Sequence, residues 1–223
     1  MNNNKWLAFA GFVYVAAWVI GLLLESNTPG VTASNAELRT YFLGHQQIHM
    51  LQAYLIDGIA GVAILVFAVM LKNSFEKNNV DFVLPTDMIM GAGITATSVS
   101  LVQAGMQQVL ANPAILSTED SPLRMMLVLI NVTDTFKLLA LALFSGTASI
   151  LTFQTRALPQ WLGWLGTALT LALVLGGLSF MIPSSLLTNI LFVSLPLLLL
   201  WVVAISVISL RRTAILSRSS SYA

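Results

Sequence analysis

The chain has 223 residues, 57% hydrophobic and 9% charged, with a net charge of +1 and no cysteine. Its mean hydropathy is +0.85, more apolar surface than a soluble fold of this length can hide, whereas a bilayer removes the need to hide it. The near-neutral charge gives no basic field for nucleic acid, and the missing cysteines exclude disulfides, thiolate metal sites, Cys-ligated iron–sulfur clusters and cysteine nucleophiles.

Apolar runs of spanning length occur at about 5–24, 46–71, 88–110, 123–153, 160–182 and 186–210. They predict an all-α membrane protein with six transmembrane helices: one bundle over 1–212, then a polar, basic tail at 213–223. The first run, Trp6 to Leu24, is too long for a signal-peptide core and lacks a small-residue cleavage site, so it is expected to be retained as a span. The loop after it has structure of its own. Pro29-Gly30 turns the chain, and Ser34-Asn35-Ala36-Glu37 has the spacing of a capping box. A short interfacial helix is expected to start there and run into the second span, with a kink at Gly44.

The other connections are short, at 72–87, 111–122, 154–159 and 183–185. Placing the N-terminus inside puts Lys5, Lys72, Lys77, Arg156, Arg211, Arg212 and Arg218 on the cytoplasmic side, and only Arg39 and Arg124 outside. That asymmetry follows the positive-inside rule and predicts both termini in the cytoplasm, with Trp161 and Trp164 at the inner interface. Three spans lie on either side of the loop at Pro113, which permits an inverted repeat, but the halves share no residue pattern, so a plain six-helix bundle is expected.

Ionisable groups near mid-bilayer cost at least ~2.5–3.5 kcal/mol and usually face a bundle interior or a wet cavity. Here they are Asp57, Asp134 and Lys137. His45, His49 and Gln52 stack on one face of the second span, Gln103 and Gln107 share a face of the third with Ser100, and Asn131, Asp134 and Lys137 fall within one arc of the fourth. At ~1.5 Å per residue, Asp57 and Asp134 both lie ~17–20 Å from the outer surface. Spans two to four should therefore meet across a polar, outward-opening cavity.

Asp134 and Lys137 are spaced to pair on their helix, which neutralises both, or lets them handle a proton. Asp57 has no basic neighbour in sequence and must be protonated or bonded across helices, to Gln103 or Lys137. Asp57 and Asp134 are the candidate catalytic acids. His45 and His49 have metal-compatible i, i+4 spacing, but two histidines are too few without Glu25, Asp57 or Asp134, so no metal is assigned. Lys137 has Schiff-base chemistry available, yet six spans and a mid-chain lysine do not resemble a retinal protein. Gly58, Gly61, Gly91, Gly93, Gly163, Gly166, Gly176 and Gly177 are expected to be helix-packing positions. Tyr14, Trp18 and Tyr54 could line an aromatic pocket.

Three stretches carry a family likeness: Gly21-Leu22-Leu23-Leu24-Glu25, the segment from Leu38 to Lys72, and Leu158-Pro159-Gln160-Trp161-Leu162-Gly163-Trp164-Leu165-Gly166. Through them the chain resembles bacterial multi-spanning membrane proteins classed as a domain of unknown function. The likeness implies a bacterial plasma-membrane location and carries over no activity and no site residues.

The function expected from these residues is binding or transport of a small or amphipathic molecule in the cavity formed by His45, His49, Gln52, Asp57, Gln103, Gln107, Asn131, Asp134 and Lys137. The alternative is a membrane-embedded enzyme on a lipid or isoprenoid, with an intramembrane Asp as general acid/base. Against it stands the lack of a rhomboid-like serine motif, a multi-histidine cluster or a nucleotide-binding loop. A third possibility is a structural or partner-stabilising subunit. Beyond the bilayer and that small ligand, no partner, cofactor or oligomeric state is read from the sequence.

Overall fold

A computed structural model describes residues 3–24, 28–76, 83–112, 120–182 and 184–219, with side chains described from Ala8 to Arg211 within those ranges, apart from Val83 and 120–122. Every element among them is helical: α1 (Asn3–Leu24), α2 (Asn35–Ala53), a π-helical turn (Tyr54–Ile59), α3 (Ala60–Glu76), α4 (Val83–Leu110), α5 (Asp120–Thr155), α6 (Gln160–Gly177), a 3-10 turn (Leu178–Phe180) and α7 (Ser185–Ser219). Five stretches are long and apolar enough to cross a membrane: Asn35–Glu76, Leu84–Leu110, Leu123–Thr155, Gln160–Phe180 and Ser185–Arg211. The 22-residue α1 adds a shorter apolar stretch, Ala8–Leu24. Glu25, Lys77, Pro113 and Pro183 lie outside the described residues, as does the end of the tail.

The helices form a ring in chain order. Neighbours are antiparallel, as their paired contacts show. Gly61 meets Ser100 while Gly93 meets Ala68; Gly166 meets Ser149 while Gly177 meets Leu138; Gly166 also meets Trp201 while Gly176 meets Leu191. Gly11 against Val202 and Ser206 closes α1 onto α7. The small residues let backbones approach closely, which is the main packing device where lipid is as apolar as the core. Gly58 and Gly91 depart from that expectation, since a side chain at Gly91 would meet nothing within 4 Å and one at Gly58 would touch only Tyr54.

Inside the ring, Phe67, Phe144 and Trp201 form a triangle with ring centroids 6.0 to 6.3 Å apart. It ties α3, α5 and α7 together, with Trp201 edge-on to both phenylalanines, as aromatic quadrupoles favour, and the phenylalanines tilted to each other. The Trp201 indole N–H donates to the Leu162 carbonyl at 3.1 Å, so the ring is buried without an orphaned donor. Hydroxyls on the helices return their protons to the preceding turn, as Thr97 does to Gly93 and Thr152 to Ala148. Thr97 also donates to Gly61, a 2.7 Å bond between α4 and α3. Helix α5 ends at Arg156 in the left-handed conformation (φ 53) and Pro159 opens the next helix.

Ser34 caps α2, accepting from the Glu37 N–H at 3.2 Å as the capping-box spacing predicts. The helix then continues into the bilayer-length stretch, but its kink falls at His45 (φ −124, ψ 19), one residue beyond the expected glycine. Before the kink, Leu38 and Phe42 dock on Leu110, Leu123 and Leu127 from α4 and α5.

These contacts separate two glycines of the same sequence type. Gly166→Val should destabilise the protein by about 1–3 kcal/mol, because its Cβ collides with Ser149 Oγ and the Trp201 indole. Gly91→Val should leave stability within about 0.5 kcal/mol of the parent. Unfolding titrations in mixed detergent micelles check both.

Candidate functional site

The site is organised by Lys137, which is buried. Its ammonium has three protons and three acceptors: Asp57 Oδ1 at 2.9 Å, Asp134 Oδ1 at 2.9 Å and Gln103 Oε1 at 2.6 Å. Asp57 arrives from the π-helical turn, Gln103 from α4, and Asp134 from one turn earlier on α5 itself. The expected i, i+3 pair is present, and it is widened into a link across three segments. With every proton committed, Lys137 is a fixed cation, and the amine lone pair needed for a Schiff base is not on offer.

Asp57 is 1% exposed, and both its oxygens are engaged: Oδ1 by Lys137, Oδ2 by the Gln107 amide at 3.1 Å. Of the two bonds proposed for it from sequence, the one to Lys137 is formed, and Gln107 supplies the second. The π-helical turn that carries it accommodates an extra residue, which rotates everything beyond it by about 100° relative to a regular helix. Such turns are frequent at functional sites. Gln108, on the neighbouring face of α4, donates to the Met50 carbonyl just before the turn at 2.8 Å, supporting a stretch where regular helix pairing is disturbed.

Asp134 differs from Asp57. Its side chain is 27% exposed, and Oδ2 has no partner among the described residues. It lines a cavity of about 310 Å³ together with His49, Gln52, Gln107 and Asn131. The Asn131 amide likewise has no hydrogen-bond partner among the described residues. Gln52 donates to the Gly21 carbonyl at 3.0 Å, satisfying one of the last acceptors of α1, so it both lines the cavity and fastens a helix end. His49 packs edge-on against Phe42, with ring centroids 5.0 Å apart.

His45 is not brought into this cavity. The break in helix geometry at its own backbone undoes the i, i+4 alignment with His49; its ring stacks on Tyr41 at 4.7 Å, and Nδ1 bonds the Tyr41 carbonyl at 2.9 Å. Among the described residues, no group of three metal-ligating side chains converges, and Glu25, which could have completed a shell, lies outside them. The three aromatic residues do not share a pocket. Trp18 lies near Lys137, 5.9 Å from Nζ to the ring centroid, Tyr14 is buried beside Trp18, and Tyr54 is 59% exposed.

Two features escaped the sequence. The first is Arg124, whose guanidinium donates to the Val31 and Ala33 carbonyls and to Asn35 Oδ1 at 2.7 to 3.1 Å. It pins the 28–34 segment as a strap across the mouth of the cavity, where Thr28, Pro29, Gly30 and Val31 form part of the lining. Tyr41 adds a 3.1 Å hydrogen bond to Thr28. A lone arginine at a span end, used above only for charge bias, gave no signal of this. The second is an apolar crevice of about 230 Å³ between α1, α5, α6 and α7, which Asp134 and Lys137 also line.

The chain matches no family model, no curated protein and no solved structure. Fold and site thus define a class only: an all-helical protein of membrane-spanning build, with a buried ion-paired cluster beside a polar cavity.

Removing one member of a buried ion pair strands the other charge. Lys137→Met should therefore cost about 3–5 kcal/mol, and Lys137→Met/Asp57→Asn should recover at least ~1 kcal/mol of it, as a double-mutant cycle in unfolding titrations would show. Arg124→Ala should speed proteolysis or amide exchange in the 28–34 strap while exchange in α6 and α7 stays at the parent level.

Proposed function

We propose that this is a bacterial plasma-membrane protein whose cavity opens outward and binds or carries a small or amphipathic molecule. Both termini then face the cytoplasm, as the distribution of Lys and Arg favours, and the 28–34 strap covers the cavity from outside. The observation that carries the reading is the contrast between two carboxylates. Asp57 spends both oxygens within the cluster, whereas Asp134 keeps one oxygen and a quarter of its surface for the cavity, next to an uncommitted Asn131 amide.

That contrast argues against Asp57 as a general acid/base, which needs its carboxyl within reach of a substrate, since Lys137 and Gln107 stand in the way. An enzyme reading then rests on Asp134 alone, whose other oxygen is held by Lys137. The contrast also argues against a purely structural cluster, since helix glue has no use for polar atoms directed at a void. In this reading Asp57, Gln103 and Lys137 position Asp134, and His49, Gln52, Gln107, Asn131 and Asp134 meet the ligand.

Native mass spectrometry of the protein released in mild detergent tests the assignment. The parent should carry a stoichiometric small-molecule adduct that Asp134→Asn lacks, with both proteins equally folded. Bare masses for both, or an adduct indifferent to Asp134, would overturn it. Orientation has its own check, because the chain is free of cysteine. Asn131→Cys in intact cells should react with a small impermeant thiol reagent, and Arg211→Cys should not.

A further inference from the structure

The polar cavity and the apolar crevice are separate openings, yet Asp134 lines both, and its partner Lys137 lines the crevice. One opening is rich in hydrogen-bonding groups. The other is walled by leucine and phenylalanine, among them Leu141, Leu173, Leu191 and Phe192. A ligand bridging them must be polar at one end and apolar at the other.

The charges say more about the polar end. Two carboxylates, Asp57 and Asp134, face one ammonium, so the ionised cluster carries one surplus negative charge. Asp134 and Lys137 are the only Asp, Glu, Lys or Arg side chains among the described residues that line either opening. Lys137 has no proton left to give an anionic head, and Arg124 is spent on the strap. The charge that remains available to a ligand head is the Asp134 carboxylate, through Oδ2, with the neutral Asn131 amide beside it. A carboxylate or phosphate head would meet that like charge with only amide N–H groups and the His49 ring, and no Lys or Arg of the cavity lining, to offset it, which disfavours it against a cation.

We infer that the site takes an amphipathic cation, an amine whose ammonium head sits against Asp134 and Asn131 and whose apolar tail enters the crevice past Lys137 and Trp18. This rests on the binding reading above and deepens it. The tail brings the indole of Trp18, which already lies beside the Lys137 ammonium, into contact with the ligand's apolar part. Selectivity comes from both halves. The surplus carboxylate selects the charge, and the apolar lining of the crevice selects the tail.

The test is saturable binding of radiolabelled n-octylammonium, 1-octanol and octanoate to the full chain in lipid nanodiscs, with uptake by empty nanodiscs subtracted. Octylammonium should bind at least ten-fold more tightly than the other two. Shortening its tail should weaken binding, referred to free aqueous ligand, by about four-fold per methylene removed. Asp134→Asn should abolish the preference for the amine, Asp134→Glu should keep it, and Leu195→Trp, which fills the crevice, should remove the dependence on tail length. Equal binding of octanol, or tighter binding of octanoate, would overturn the cationic assignment and leave the cavity's binding role standing. A preference for the amine that survives Asp134→Asn would place the head elsewhere and overturn it too. Absence of saturable binding by all three would overturn the inference, while the adduct measured by native mass spectrometry decides the binding reading separately.

Discussion

The three protons of the Lys137 ammonium impose a geometry on half of this bundle. A charged amine surrounded by apolar helices is tolerable only when its donors are met and its charge is balanced, and each acceptor here comes with a structural consequence. Asp57 brings in the turn joining α2 to α3, Gln103 brings in α4, and Asp134 holds the ammonium to its own helix. Moving any one of these segments outward would leave a charge or a proton unsatisfied in low dielectric. The cluster therefore acts as a pin whose length is fixed by hydrogen-bond distances rather than by side-chain volume.

The other half of the ring is held on a different principle. Around Phe67, Phe144 and Trp201 the contacts are dispersive, between tilted or edge-on rings, and the glycines at positions 11, 93, 163 and 166 bring helices close enough for them. Packing of this kind closes α1 onto α7 through Gly11. Nearer the ion cluster, the walls of α1 and α7 include Trp18, Leu191 and Phe192, and they line the apolar crevice. Tight glycine-mediated contact in one half of the ring and bulky residues in the other is enough to leave an opening beside Lys137.

Much of this was legible in the sequence, and the parts that were not share a cause. Helix positions follow from apolar run length, because a spanning helix must satisfy its own backbone and the bilayer fixes its reach. Pairing of Asp134 with Lys137 follows from helical spacing, and the convergence of Asp57, Gln103 and Lys137 follows from equal depth on adjacent antiparallel spans. What failed was angular counting along α2. A departure from helical geometry at His45 and a π-helical turn at Asp57 each shift the faces that follow, so His45 left the cavity to which the wheel assigned it. Gly44 announced the first irregularity to within one residue, though not the turn of the faces that follows it, and nothing in the expected pattern announced the π-helical turn. Arg124 was invisible for another reason: its partners are two loop carbonyls and one asparagine some ninety positions earlier, and backbone carbonyls leave no trace in a side-chain pattern.

The π-helical turn and the strap have a joint consequence for how the cavity works. Asp57 and Lys137 are locked to each other, and shifting either breaks charge-assisted bonds worth several kcal/mol. The strap is held by a half-buried guanidinium whose bonds go to neutral carbonyls and one amide, each worth about 1.5–3 kcal/mol at most and readily exchanged for water. Opening at the strap is therefore the cheaper motion, and opening through the cluster the costlier one. Access to Asp134 from the strap's side need not disturb the pin that holds the helices together.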